Sequence, residues 1–232
     1  MTGVQTCALP ISESIVEAQI DFDHPGHDGL AWAPGFQDVY HARDGAFAQA
    51  RHVFLQGNGL PGRWQGRARF VILETGFGLG NNFLATWAAW RADPQRSKRL
   101  IFVSIDKHPV LLTDLKRAFE GHALPELAQQ LIAAWPAPTP DIHRLSFDHG
   151  AVILLLVHAD VQAALRELFL KADAFYLDGF APARNPQMWN IWVTKALGRL
   201  LFESHILPFE ILSVLLLVAM VGAILITKKD LR

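Results

Sequence analysis

The sequence predicts an α/β fold built on a parallel, doubly wound sheet, and three observations carry that prediction. Short continuous apolar runs, RFVILE at 69–74, LIFVSID at 100–106 and AVILLLVHAD at 151–160, have the length and the lack of alternation expected of strands buried on both faces. Stretches of helical period separate them, the pattern of strand–helix–strand units. A glycine-rich turn, Gly76 to Gly80, joins the first run to the helix after it. Crossovers in such a sheet are right-handed, and ligands sit at the carboxyl ends of the strands.

Taken in order, residues 1–12 (MTGVQTCALPIS) have no basic segment before their weakly apolar stretch and no small-residue cleavage pattern, so they do not read as a signal peptide. GVQTCALPIS resembles a translated sequencing adapter, and 1–12 are expected to be a non-native leader. Residues 13–68 read as an N-terminal extension, rich in Gly, Pro, Asp and His from 21 to 61, with short candidate elements at 38–40 and at a helix-like 45–55. The core begins with the strand at 69–74. The helix over 81–92 follows, its Phe83, Trp87 and Trp90 spaced by four and three to form one apolar stripe. After the strand at 100–106, Pro109 marks the entry to a helix over 112–119, and a further helix spans 125–135. The breaker run PAPTP (136–140) precedes strands in HRLSF and 151–160. A helix over 161–172 and a strand over 173–180 complete a core expected to span 69–189.

With 232 residues the chain can bury one good-sized core. Lys and Arg total 21 against 22 for Asp and Glu, so no global field points to nucleic acid, and a polyanion would have to be met by a local patch. The one cysteine, Cys7, excludes a disulfide framework and a multi-cysteine zinc site, and suits a reducing cytoplasm. No metal site is expected.

Glu74-Thr75-Gly76-Phe77-Gly78-Leu79-Gly80 lies where a nucleotide-type ligand is cradled between strand and helix. A tight structural turn is the plain alternative. There is no Gly-Lys-Ser/Thr to grip phosphates, and an acid at the strand end repels a pyrophosphate but can hold a cationic amino group, which favours S-adenosylmethionine over NAD. Asp106 and Asp160 end the next two strands; they could accept ribose hydroxyls and face an adenine amino group, or simply cap helices. DGFAPARNPQMW (178–189) sets an acid, an aromatic and two prolines at a further strand end, either as a site mouth or as a proline-stiffened loop.

ETGFGLGNNFLATW and FYLDGFAPARNPQMW resemble the methyltransferase domain of the bacterial bifunctional tRNA 5-methylaminomethyl-2-thiouridine biosynthesis family, and FQDVYHA, HVFLQGNGL, FVSIDKHP, AWPAPTPDIHRL and HADV agree in order. The resemblance covers about 21–189. It implies a Rossmann-like class I fold and methyl transfer from S-adenosylmethionine to the aminomethyl nitrogen of the wobble uridine in the tRNA anticodon loop. It carries Glu74, Gly76, Gly78, Gly80, Asp106 and Asp160 over as cofactor-binding, and Asp178, Phe180 and Pro182 as the amine and base site. Asp106 stands where family members can have Glu; either acid accepts two hydroxyls. Arg51, His52, Arg63, Arg67, Arg69 and Arg184 are candidate phosphate contacts, with an ordinary solvated face as the alternative.

Residues 190–232 read differently. Ile211 to Thr227 carry no charge, and with the stretch back to Ile206 they approach the length of a membrane span, followed by Lys228 and Lys229. A buried core helix is the alternative. The stretch resembles the C-terminal helix of subunit J of bacterial NADH-quinone oxidoreductase. The chain is thus expected to join a truncated methyltransferase, its sheet incomplete and its FAD domain absent, to a membrane-type tail, and to lack useful turnover. The competing function is a tail-anchored binding module with this fold and no catalysis.

Overall fold

The structure, a computed structural model, describes residues 4–6, 15–27, 29–41 and 45–199. Its strands are β1 (Val4–Thr6), β2 (Trp32–Ala33), β3 (Asp38–Val39), β4 (Phe70–Thr75), β5 (Leu100–Asp106), β6 (Ile142–Phe147), β7 (Val152–His158), β8 (Leu168–Leu170) and β9 (Ala174–Leu177). The helices are α1 (Ala46–Gln49), continued by a π-helical turn over Ala50–Gln56, then α2 (Asn81–Ala92), α3 (Leu112–Ala118), α4 (Pro125–Ala134), α5 (Val161–Glu167) and α6 over 191–199.

Five strands form the central sheet in the order β6-β7-β5-β4-β9. β4 is parallel to β5 and β9, and β5 to β7, but β6 runs antiparallel to β7, so the sheet is mixed rather than wholly parallel. Only residues 148–151 separate β6 from β7, far short of the dozen or so a parallel crossover needs. Asp148 and His149 make that reversal in left-handed conformations, with φ of 47° and 54°. From β4 the chain builds outward through β5 to β7, then returns to place β9 on the other side of β4. That reversal opens a crevice at the carboxyl ends of β4, β5 and β9.

Alternation along the strands divides the core in two. Phe70 and Ile72 of β4 with Leu100 and Phe102 of β5 face one layer, which also holds Phe83, Trp87, Leu115 and Leu131 from α2, α3 and α4. Val71 and Leu73 with Ile101, Val103 and Ile105 face the other, covered by Val161 and Ala164 of α5 and by Val193 and Leu197 of α6. Burial of each such large side chain stabilises the fold by about 1.5–3 kcal/mol. The indole N–H groups of Trp64, Trp87, Trp90 and Trp135 all donate to oxygen, at 2.7 to 3.0 Å. None of these four indoles is therefore packed at the expense of an unpaired donor.

Two elements differ from the sequence reading. The helix expected over 161–172 stops at Glu167, because Leu168–Leu170 pair antiparallel with Val4–Thr6 and their backbone groups are satisfied by a ladder instead. Residues 191–199, grouped above with the tail, form a helix of the core: Val193 is 1% exposed and Leu197 7%, a spacing of four on one helical face. The expected leader lies outside the described residues apart from 4–6, and the expected membrane span at 206–227 lies wholly outside them. Among the described residues no helix is long and apolar enough to cross a membrane.

Candidate active site

A cleft of about 630 Å³ opens at the carboxyl ends of the strands, within the size range of small-molecule sites. Gly76, Gly78, Asp106, Asp160, Asp178 and Phe180 all line it. Of the other expected site residues, Glu74 and Gly80 lie beneath its floor, and Pro182 is exposed outside its wall.

Glycine is needed at Gly76 on two counts. Its φ of 80° is left-handed, and a Cβ there would sit 3.1 Å from the Asp178 carbonyl oxygen and 3.2 Å from Gly179 Cα. The loop leaving β4 and the loop leaving β9 can touch only because no side chain intervenes. Thr75 fastens the same junction, its hydroxyl donating to the Asp178 carbonyl at 3.0 Å. At Gly78 the backbone N–H donates to Asp106 Oδ2 at 2.9 Å, so the acid closing β5 holds the glycine loop. His108 N–H donates to the other oxygen, Oδ1, at 2.9 Å.

Beneath the cleft Glu74 is fully buried, with Ser104 Oγ donating to Oε2 at 2.6 Å and Asn82 Nδ2 donating to Oε1 at 2.9 Å. Asn82 Nδ2 also donates to Asp178 Oδ2, at 2.7 Å. One amide thus ties the buried acid of β4 to the cleft acid after β9. Burial pushes the Glu74 carboxyl well above its usual range, against the hydrogen bonds from Ser104 and Asn82, and the charge of Asp178 adds to the rise. Burial raises Asp106 too, opposed by the Gly78 and His108 amides. Asp178 is raised for the same reason, opposed by Gly179 N–H and Asn82, with the charge of Asp106 adding to the rise. Among the described residues none of these three acids makes an ion pair with lysine or arginine. A ligand with positive charge therefore fits this cleft better than an anion does.

Asp160 is the exception. Its Oδ1 caps α5 by accepting from Gln162 N–H at 2.8 Å, and its Oδ2 pairs with Lys107 Nζ at 3.3 Å. The helix-capping alternative is thus the observed geometry, in a residue that still forms part of the cleft wall. Phe180 does not present a bare face: its ring stacks on Phe36 at 4.4 Å and 20°, and Tyr40 meets it edge-on at 5.2 Å.

The candidate phosphate contacts do not gather at this cleft. Arg67 pairs with Asp173 at 2.7 Å, and Arg63 donates to the Asp173 carbonyl, both beside the amino ends of β4 and β9. Arg69 directly precedes β4 at the same end. Arg51 lies over the Phe47 ring, His52 pairs with Gln56, and Arg184 donates to Gln37 Oε1 at 2.9 Å. The sequence reading also passed over Asn82, Phe36 and Tyr40 as site residues. Asn82 sits in the first turn of α2, directly after the glycine loop, and that position is the signal that could have marked it.

Comparison with known proteins follows the same lines. Residues 122–206 match a family described as S-adenosyl-L-methionine-dependent methyltransferase, a match that runs past Trp189, where the sequence resemblance was expected to stop. The bifunctional protein MnmC of tRNA 5-methylaminomethyl-2-thiouridine biosynthesis from Methylibium petroleiphilum is 60% identical over 173 residues, which are 75% of this chain and 26% of that protein. Its counterpart from Cupriavidus necator is 55% identical over 174 residues, again 75% and 26%. The chain spans about a quarter of the length of these curated relatives. Among solved structures, MNMC2 from Aquifex aeolicus superposes with a TM-score of 0.59 at 21% identity, over 79% of this chain and 56% of that one. That superposition shows a shared fold.

Proposed function

We propose that this S-adenosylmethionine-dependent methyltransferase core acts on tRNA, methylating the aminomethyl nitrogen of the wobble uridine in the anticodon loop. The name of its relatives supports the substrate, and the observation that carries the reading is the Glu74–Asn82–Asp178 bridge. It holds an acid with an upward-shifted pKa in the same cleft as the glycine loop.

The chain's residues fit the cofactor on charge and shape. Gly76 and Gly78 put loop backbone on the cleft wall, and Asp106 with Asp160 would hold the nucleoside end. The cleft acids Asp106 and Asp178, with Glu74 buried behind them, suit an ammonium and a sulfonium. When bound, S-adenosylmethionine supplies the electrophilic methyl group, which a neutral amine takes as the carbon–sulfur bond breaks. Asp178 orients that amine and accepts its proton. Because burial raises the Asp178 carboxyl, it is a better proton acceptor than a solvated aspartate. Phe180 offers a ring to a base splayed out of a single-stranded loop.

The test uses the full chain. Calorimetry with S-adenosylmethionine should show binding that is lost in Gly78→Val, where φ is 52° and a Cβ would already meet the Tyr40 ring at 3.3 Å. Labelled methyl should then pass to tRNA whose wobble uridine carries a free aminomethyl group. Unchanged cofactor affinity in Gly78→Val would sink the cofactor site. Cofactor binding without transfer to that tRNA would instead favour the non-catalytic binding module, or the loss of turnover expected from the sequence.

A further inference from the structure

The turn between β2 and β3 reaches across the cleft and meets the loop that follows β9 in three places. Phe36 stacks on Phe180 at 4.4 Å. Gln37 Oε1 accepts from Arg184 at 2.9 Å, and Asp38 Oδ2 accepts from Ala181 N–H at 3.2 Å. Gln37 does this in a left-handed conformation, φ 50°, which is unfavourable for a residue with a Cβ. Strain of this kind persists where surrounding contacts impose it, and it gathers at ligand clamps. Phe36 and Phe180 both line the cleft, as do Tyr40 and His108, which meet the pair edge-on at 5.2 and 5.9 Å.

The two rings belong to segments far apart in sequence, and both lie outside the central sheet. Parting the segments disturbs the Phe36–Phe180 stack, the edge contact of Tyr40 with Phe180 and two hydrogen bonds, and leaves the β4–β9 ladder intact. Their present near-parallel tilt of 20° is the orientation a flat heteroaromatic ring requires on each side.

From this we infer that Phe36 is the second wall of the substrate-base site: the target base slides between Phe36 and Phe180, with Gln37 and Asp38 as positioning residues that set where the Phe36 ring waits. The inference rests on the function proposed above and adds to it a binding residue on the N-terminal segment. In the ligand-free protein the two phenyl rings close on each other and keep water from their apolar faces. In the complex each ring exchanges its partner for one face of the base. The site therefore selects a base that can leave its stack, as in a loop, over one held in a duplex.

The test is a cycle of binding measurements that does not depend on turnover. An end-labelled anticodon stem-loop RNA with 5-aminomethyluridine at the wobble position is titrated with the full chain by fluorescence anisotropy, S-adenosylhomocysteine being present. The same RNA with an abasic wobble nucleotide is the second probe. Base–aromatic stacking leads to an expected loss of about 5- to 100-fold in affinity for the intact RNA in Phe36→Ala. Phe36→Tyr should restore affinity to within about threefold, and both variants should bind S-adenosylhomocysteine within about twofold of the parent protein. On the abasic RNA, Phe36→Ala and the parent should bind alike. An equal loss on both RNAs would make Phe36 a structural residue and overturn the inference, as would an unchanged affinity for the intact RNA. If the parent itself binds the two RNAs equally, the substrate reading fails and the base clamp with it, whereas cofactor binding, measured separately, is untouched.

Discussion

Apart from Asp160, which pairs with Lys107, the two ends of the central sheet treat their acids in opposite ways. At the amino end Asp173 is matched: Oδ1 pairs with Arg67 at 2.7 Å and Oδ2 accepts the Val71 N–H at 2.8 Å. At the carboxyl end Glu74, Asp106 and Asp178 receive uncharged donors, amides and a hydroxyl, and burial raises all three. The same residue type serves as a latch where a cation from the chain closes the pair. On the function proposed above, the cleft acids Asp106 and Asp178 instead leave the positive charge to be supplied by a ligand.

Removing one acid from each end should separate these roles. The largest effect is expected at Asp178. Asp178→Asn keeps the shape and the hydrogen bond from Gly179 but loses the proton acceptor, so the rate of methyl transfer to aminomethyl-bearing tRNA should fall by about 10² or more. Cofactor affinity, read by calorimetry, should change by only a few-fold. A near-normal rate at neutral pH would remove Asp178 from the mechanism and blur the contrast.

At the other end, Asp173→Ala should act on stability and not on the cleft. It strips Val71 N–H of its acceptor and leaves Arg67 unpaired, a loss of about 1–3 kcal/mol visible as a lower melting temperature. The folded variant should bind S-adenosylmethionine as the parent does. A large drop in affinity without a drop in melting temperature would show that the amino-end latch reaches the site.

The subtlest difference lies in pH. For Glu74, Asp106 and Asp178 the folded, ligand-free protein holds its proton more tightly than the unfolded chain does. Their contribution to stability is complete below the ordinary carboxylate range, near pH 4, and is lost as pH rises through the raised values. Affinity for a cation moves the other way over the same window, because ionised carboxylates favour it. S-adenosylmethionine should therefore tighten several-fold more than S-adenosylhomocysteine, which lacks the sulfonium charge, as pH is raised from 5 to 8. Parallel slopes for the two ligands, measured by calorimetry, would mean that the three acids do not sense that charge.

Much of this could be read along the chain. The buried runs that became β4, β5 and β7, the helix over 81–92, the glycine loop and the acid after β9 are all local patterns, visible because burial on two faces and tight turns restrict residue type at each position. The fate of Leu168–Leu170 was not visible. A helical pattern there yields to pairing with residues more than 160 positions away, and no local propensity reports a distant ladder. The role of α6 was hidden for a related reason: Val193 and Leu197 lie beside an apolar stretch that dominates the composition, and only packing shows that they face the sheet.

The site divides in the same way. By itself the sequence determined which residue types stand at the strand ends, because a strand-to-helix turn around a ligand requires glycine, and a cationic ligand requires acid. Tertiary structure alone decided which acids reach the cleft. Glu74 and Asp106 end neighbouring strands and read alike, yet Glu74 is sealed beneath the floor by Asn82 and Ser104 while Asp106 lines the wall. It also decided that Arg63 and Arg67, counted with the phosphate contacts by composition, lie at the far end of the sheet, locked to Asp173. The physical reason is that a charge acts over a few ångströms of space, and the chain's order along its length does not specify which charges the fold will bring that close.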